Sequence, residues 1–206
     1  MFLMLVVAMA VAMPTSYAQL SKKEIKQIEK TAKKEAKQLK KDGWKVAPGN
    51  PSMEMQLTES FKYQMQKDDE GYDKFIQGEA MSVGELYDAA LFQADNLSKL
   101  NLAGKIETSV IQIIDNKLAN NQISQQEASS LATSISASKN LVAQKLGQVI
   151  TPVRMYCNQA NGSVQVRVIT YYSQEKALKA AKNAMRENLE KEANDLSNRL
   201  DDILGD

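Results

Sequence analysis

Asn161-Gly162 lies between two runs of alternating residues and constrains the fold more than any other pair in this chain. Asn-Gly is the favoured centre of a two-residue type I′ turn, because both residues tolerate positive φ. Folding the chain about it pairs Cys157 with Val166, Met155 with Val168 and Val153 with Thr170 on one face. Tyr156 with Arg167 and Arg154 with Ile169 fall on the other. The first face is apolar and the second mostly polar, so the pattern predicts a hairpin over 146–172 with one buried side. A further strand is expected near 72–82, centred on Phe75 and Ile76. Gly78 within it marks a bulge or a close approach of backbone.

The rest of the chain reads as helix. Ser21-Lys22-Lys23-Glu24 is a capping box, which ties the first free amides of a helix to the Ser and Glu side chains. Ile25, Ile28, Ala32, Ala36 and Leu39 then recur at steps of three and four, and Gly43 stops the run. Trp44-Lys45-Val46 is short and extended, and a loop with two prolines follows. A second helix is expected from Ser52 to about Gln66. A long one starts near Glu85, with Leu86, Ala90, Leu97 and Asn101 on one stripe, Val110, Ile111, Ile114 and Leu118 extending it, and Gly104 as a kink or end. Ser124-Gln125-Gln126-Glu127 is a second capping box, opening a helix through Ile135. A C-terminal helix is expected over 174–203. Few strands, paired by a hairpin and flanked by long helices, define an α+β fold with helices on one face of a small antiparallel sheet.

Composition removes several chemistries. The chain has no histidine, so Ser-His-Asp and Cys-His catalysis cannot be built from it. The usual zinc ligand and the usual pH switch go with it. One cysteine, Cys157, cannot form an intramolecular disulfide. The hairpin register sets it among Met155, Val166 and Val168, where a thiol acts as a small apolar filler. The net charge of +1 argues against a nucleic-acid binder by overall charge.

Phe2 to Met13 is an unbroken apolar run, closed by Pro14 and followed by Tyr17-Ala18 before Gln19. This is the pattern of a secretory signal peptide cleaved after Ala18, too short for a permanent span. The expected organisation is therefore a leader over 1–18, a basic helix and loop over 19–50, and one α+β domain over 51–206. No cysteine follows the leader, so no lipid anchor is expected. The exported protein would sit in the periplasm or outside the cell.

The segment Gly78-Glu79-Ala80 through Tyr172 holds an Ala-rich helix that continues through Leu102-Ala103-Gly104-Lys105-Ile106, then two closing strands. Over about residues 72–172 this resembles the envelope lipoprotein family named for the twenty-kilodalton Helicobacter lipoprotein. Gly43-Trp44-Lys45, Pro48-Gly49 and Ala137-Ser138-Lys139-Asn140-Leu141 are similar to segments of secreted, uncharacterised proteins of Bacteroidales. The resemblance implies an envelope setting and brings no activity with it.

The remaining motifs are weak as sites. Ser136-Ala137-Ser138-Lys139 matches Ser-x-x-Lys, but the partner elements of penicillin-recognising enzymes are missing. Asp68-Asp69-Glu70 with Asp73 lacks calcium-loop spacing and reads as an exposed turn. Residues 21–41 hold nine lysines against three glutamates. This helix reads first as a solvated face docked on the domain, and second as a surface for an anionic membrane or an acidic polymer. Trp44 either lines a groove or packs the N-terminal segment onto the core.

These readings favour a non-catalytic exported protein that acts as an interaction or structural module, with no cofactor and no metal. Its partner would be another envelope or surface protein, met through the sheet face, a strand edge or the basic helix. The candidate contact residues are Lys22, Lys23, Lys26, Lys30 and Trp44. The alternative is a periplasmic carrier of a small apolar ligand, with Phe75, Leu91 or Ile114 lining its pocket.

Overall fold

A computed structural model describes residues 20–191 and 195–205. The leader expected over 1–18 and its cleavage site lie outside the described residues. The fold is α+β, with a four-stranded antiparallel sheet and seven helices among the described residues. The elements run α1 (Lys22–Lys41), β1 (Trp44–Lys45), α2 (Met53–Met65), β2 (Phe75–Gly84), α3 (Tyr87–Ala119), α4 (Gln125–Ala137) and α5 (Lys139–Lys145). Then come β3 (Ile150–Asn158), β4 (Val164–Ser173), α6 (Gln174–Lys191), a 3-10 turn (Asp195–Arg199) and α7 (Leu200–Leu204). The sheet order is β1-β3-β4-β2, which leaves β2 along one side.

Both capping boxes form as the sequence expects: Ser21 with Glu24, and Ser124 with Glu127. The hairpin forms too, but one residue out of the expected register. Cys157 pairs with Gln165, Tyr156 with Val166 and Met155 with Arg167. The turn is the reason. Asn161 does not adopt positive φ, whereas Gly162 does at +86°, so a two-residue I′ turn is not made. Gln159 accepts from the Gly162 amide and donates to the Ser163 carbonyl, which closes a three-residue loop. One extra loop residue slips the register by one, and a one-residue slip moves every side chain to the other face. Cys157 is therefore half-buried beside Trp44 and Gly43, at the side of the sheet, and not among Val166 and Val168.

The slip is tolerated because both faces of the sheet are covered, whereas the sequence pattern suggested one. α3 lies on the face carrying Ala80, Val166 and Val168, against Ala90 and Ala94. α1 and α2 lie on the other, where Ala32, Ala36, Met53 and Leu57 pack on Val153, Met155, Ile169 and Tyr171. The N-terminal basic helix is thus built into the sheet core through its small apolar stripe.

α3 is one continuous helix of 33 residues, about 50 Å of helical rise at 1.5 Å per residue, and Gly104 does not end it. Its buried stripe is Ala90, Ala94, Ser98, Leu102, Ile106, Val110 and Ile114, an unbroken i, i+4 run. The expected stripe through Leu86 and Leu97 is rotated from this one: Leu86 is 71% exposed and Leu97 36%. Gly78 explains the rotation. A Cβ there would stand 2.3 Å from the Ser98 carbonyl oxygen and 2.6 Å from Leu102 Cγ. Strand and helix approach so closely that only small side chains fit between them. This is the close approach, not the bulge, because β2 pairs with β4 without a break.

The second half of α3 enters a helical bundle. Leu102, Ile106, Val110 and Ile114 join Leu131 and Ile135 of α4, Val142 of α5, Ala181, Met185 and Leu189 of α6, and Leu200 and Ile203 of α7. The C-terminal helix expected over 174–203 is not a single rod. Asp201 meets Lys182 at 3.0 Å, although 19 residues of straight helix would hold them about 28 Å apart. The chain folds back so that Leu200 and Ile203 of α7 pack against α6.

Candidate functional site

The structure separates the sequence-derived contact residues. Lys22, Lys23, Lys26 and Lys30 are all exposed on the outer side of α1. Trp44 stands apart from them in the sheet, half-buried beside Leu39 and Val46 and opposite Cys157. It packs the N-terminal segment onto the core.

Beneath α1 and α2 runs a polar network that no sequence pattern marked. The Tyr171 hydroxyl lies 2.9 Å from Ser60 Oγ and donates to Gln77 Oε1 at 3.3 Å. Gln77 donates to Glu79, and Glu79 accepts from Arg167 Nε at 2.7 Å. Arg167 also faces Glu35 of α1 at 3.8 Å. Burial pushes the Tyr171 phenol above its ordinary 10.0, so it stays protonated near neutral pH. Ser60 has no base beside it. The network therefore ties α1 and α2 to the sheet and offers no activated nucleophile. On the opposite face Arg154 grips both carboxylate oxygens of Asp95, at 3.3 and 3.4 Å, beside the edge-to-face pair Tyr87 and Tyr156.

The acidic turn is explained by its own hydrogen bonds. Asp68 Oδ1 accepts from the Glu70 and Tyr72 amides, and Asp73 pairs with Lys67 at 2.6 Å. Among the described residues no cluster of three carboxylates or thiols is arranged to hold a metal ion. Ser136 and Lys139 of the Ser-x-x-Lys match both turn to Glu107, at 2.7 and 3.8 Å.

Phe75, Leu91 and Ile114 do not meet around one cavity. Ile114 is buried in the bundle, and Leu91 packs with Ala90 and Ala94. Phe75 borders an open groove of about 440 Å³ with Tyr171 and Gln112. A neighbouring groove of about 570 Å³ runs where the sheet meets the bundle. Its floor is Ile76, Ile106, Val110 and Leu178, and Asp68, Glu70 and Glu175 stand at its rim.

The two sides of the sheet differ in cover. β1 pairs with β3 only at Tyr156 and Cys157, and further along α2 takes over. Gln56 of α2, 3% exposed, accepts from the Arg154 amide at 2.8 Å and donates to the Pro51 carbonyl. On β2, Asn101 of α3 donates to the Glu79 carbonyl. Beyond it β2 runs on as an edge through Gly84. Met81 is 49% exposed and Val83 54%, and past the strand Leu86 and Phe92 are about seven-tenths exposed. The sequence pattern hides this corner, because it places Leu86 on the buried stripe of α3, where the structure leaves it 71% exposed.

No protein-family model, no curated protein and no solved structure matches the chain. No helix of the described residues is long and apolar enough to cross a membrane.

Proposed function

We propose that this is a non-catalytic exported binding protein that takes a strand of an envelope protein partner along β2. One observation carries the reading: a sheet edge from Ala80 to Gly84 stands beside exposed Met81, Val83, Leu86 and Phe92. Helices cover both sheet faces, and Gln56 guards β3, so β2 is the edge left for strand addition. Main-chain pairing would supply affinity there, and the apolar side chains specificity. Export rests on the apolar leader pattern.

The test is cross-linked capture of the tagged protein from its native envelope, with a Met81→Lys/Val83→Lys double variant alongside. Both side chains are exposed, so the fold should hold. Loss of the partner with an unchanged melting profile supports the reading, because edge lysines oppose strand pairing. Undiminished capture overturns it.

A second reading is the carrier of a small apolar ligand, favoured by the apolar floor of the larger groove. Fluorescent apolar probes should then bind to the protein and be displaced when Val110 or Leu178 is replaced by a charged residue.

A further inference from the structure

The nine lysines of α1 share one side of the helix. At 100° per residue, Lys22, Lys23, Lys26, Lys30, Lys33, Lys34, Lys37, Lys40 and Lys41 fall within an arc of about 120°. Glu24, Glu29 and Glu35 all fall outside that arc, with Glu29 at its margin. Every one of the nine is exposed. Among the described residues none of them is in an ion pair. An ordinary solvated helix interleaves its charges so that i, i+4 pairs attract. This one stacks like charges three and four apart, where they repel, and the neighbouring carboxylates of Glu29 and Glu54 form no ion pair with them among the described residues.

We infer that α1 is an electrostatic docking surface for the anionic phospholipid face of a membrane. The helix carries +6 and the whole chain +1, so the remainder carries −5. The molecule is therefore polarised, and a negatively charged surface would attract it with α1 foremost and repel the rest. The stripe is convex and about 30 Å long, which suits a plane better than a polymer that needs a groove. It contains no arginine and no aromatic residue, so it lacks both the fork that reads phosphates in pairs and the platforms on which bases stack. Ile28, Ala32 and Ala36 are already buried against the domain, so the helix has no free apolar face to insert. Contact is peripheral, made by charge alone, and salt-sensitive.

The experiment is co-sedimentation of the purified protein with phosphatidylcholine vesicles, with and without phosphatidylglycerol as one lipid in three. Binding is expected only to the mixed vesicles at physiological salt, and its loss at about 1 M salt, where charges are screened within about 3 Å. A Lys26→Gln/Lys30→Gln/Lys33→Gln/Lys37→Gln variant should bind roughly 600-fold more weakly, since each surface lysine contributes about a factor of five. Helicity and melting temperature check that it is folded, and the leader is the same in both proteins. Lys→Arg at the same four positions keeps the charge and should keep the binding. Equal binding to neutral vesicles, or an unchanged Gln variant, overturns the inference. So does tighter binding to single-stranded DNA than to the mixed vesicles at equal salt, which would make a nucleic acid the occupant. Capture through β2 should survive the lysine substitutions, so the two readings stand or fall separately.

Discussion

The two ends of α3 use the same stripe in opposite ways. From Ala90 to Ser98 it offers small side chains to a sheet, and from Leu102 to Ile114 it offers large aliphatic ones to other helices. At the sheet, contact comes from close approach of backbones, with Gly78 directly beneath Ser98 and Leu102. In the bundle it comes from interdigitated side chains around Ile106, Leu131 and Met185. The same spacing therefore does not specify the same packing. The first half can be broken by adding a methyl group, the second by removing several.

Gly78→Ala is expected to have the largest effect. The new Cβ would meet a backbone oxygen that cannot move without shifting α3. A loss of about 3 kcal/mol or more is expected, up to failure to fold. Chemical denaturation measures it, and a cost below about 1 kcal/mol would remove close approach as the basis of this half. Ile106→Ala should come next, at about 2–5 kcal/mol, because it opens a cavity at a residue 1% exposed. Ala94→Leu sharpens the contrast: about 1–3 kcal/mol is expected from overpacking against the sheet, whereas Ile106→Leu should cost less than about 1.5 kcal/mol. If both substitutions to leucine cost the same, the two halves do not differ in grain.

The smallest effect is one of pH, and it compares the cap of α1, which packs on the sheet, with that of α4, which packs in the bundle. Hydrogen bonds from the Ser21 side chain and backbone hold Glu24 below its ordinary 4.5. In the bundle, bonds from the Ser124 backbone and side chain, helped by Arg199, do the same for Glu127. A folded-state pKa below the unfolded one contributes stability that is present above the unfolded value and lost as pH falls through the folded one. The melting temperature should therefore hold from neutral pH to about 5 and decline below about 4.5. Glu127→Gln should remove part of that decline, and an unaltered acid limb would show that the bundle's cap does not report on global stability.

Much of the fold was legible wherever a residue's role is local. Ser21, Ser124 and Gly43 mark helix ends because capping and left-handed φ are properties of a few residues. Register was not legible, because Asn161-Gly162 serves a two-residue and a three-residue loop equally well. The buried stripe of α3 was legible at Ala90, Val110 and Ile114, but not at Ser98, because hydrophobicity ranks Leu86 and Leu97 above it and only the proximity of Gly78 reverses that order. α5 was missed because its seven residues show barely two turns of pattern. Of the candidate site, the lysines were legible as charge, and their freedom from ion pairs was not. The edge at Met81 and Val83 needed the sheet order to be seen.

The bond from the Arg154 amide to Gln56 spans 98 positions. The side chain that guards β3 is therefore made long before the strand it guards. During synthesis α1 and α2 have left the ribosome by the time the hairpin exists to need cover. β3 then meets a waiting protector of its own chain before it meets a neighbouring molecule. A version of the chain permuted to begin after α2 would reverse that order, exposing a bare strand to its copies at the moment when aggregation is easiest.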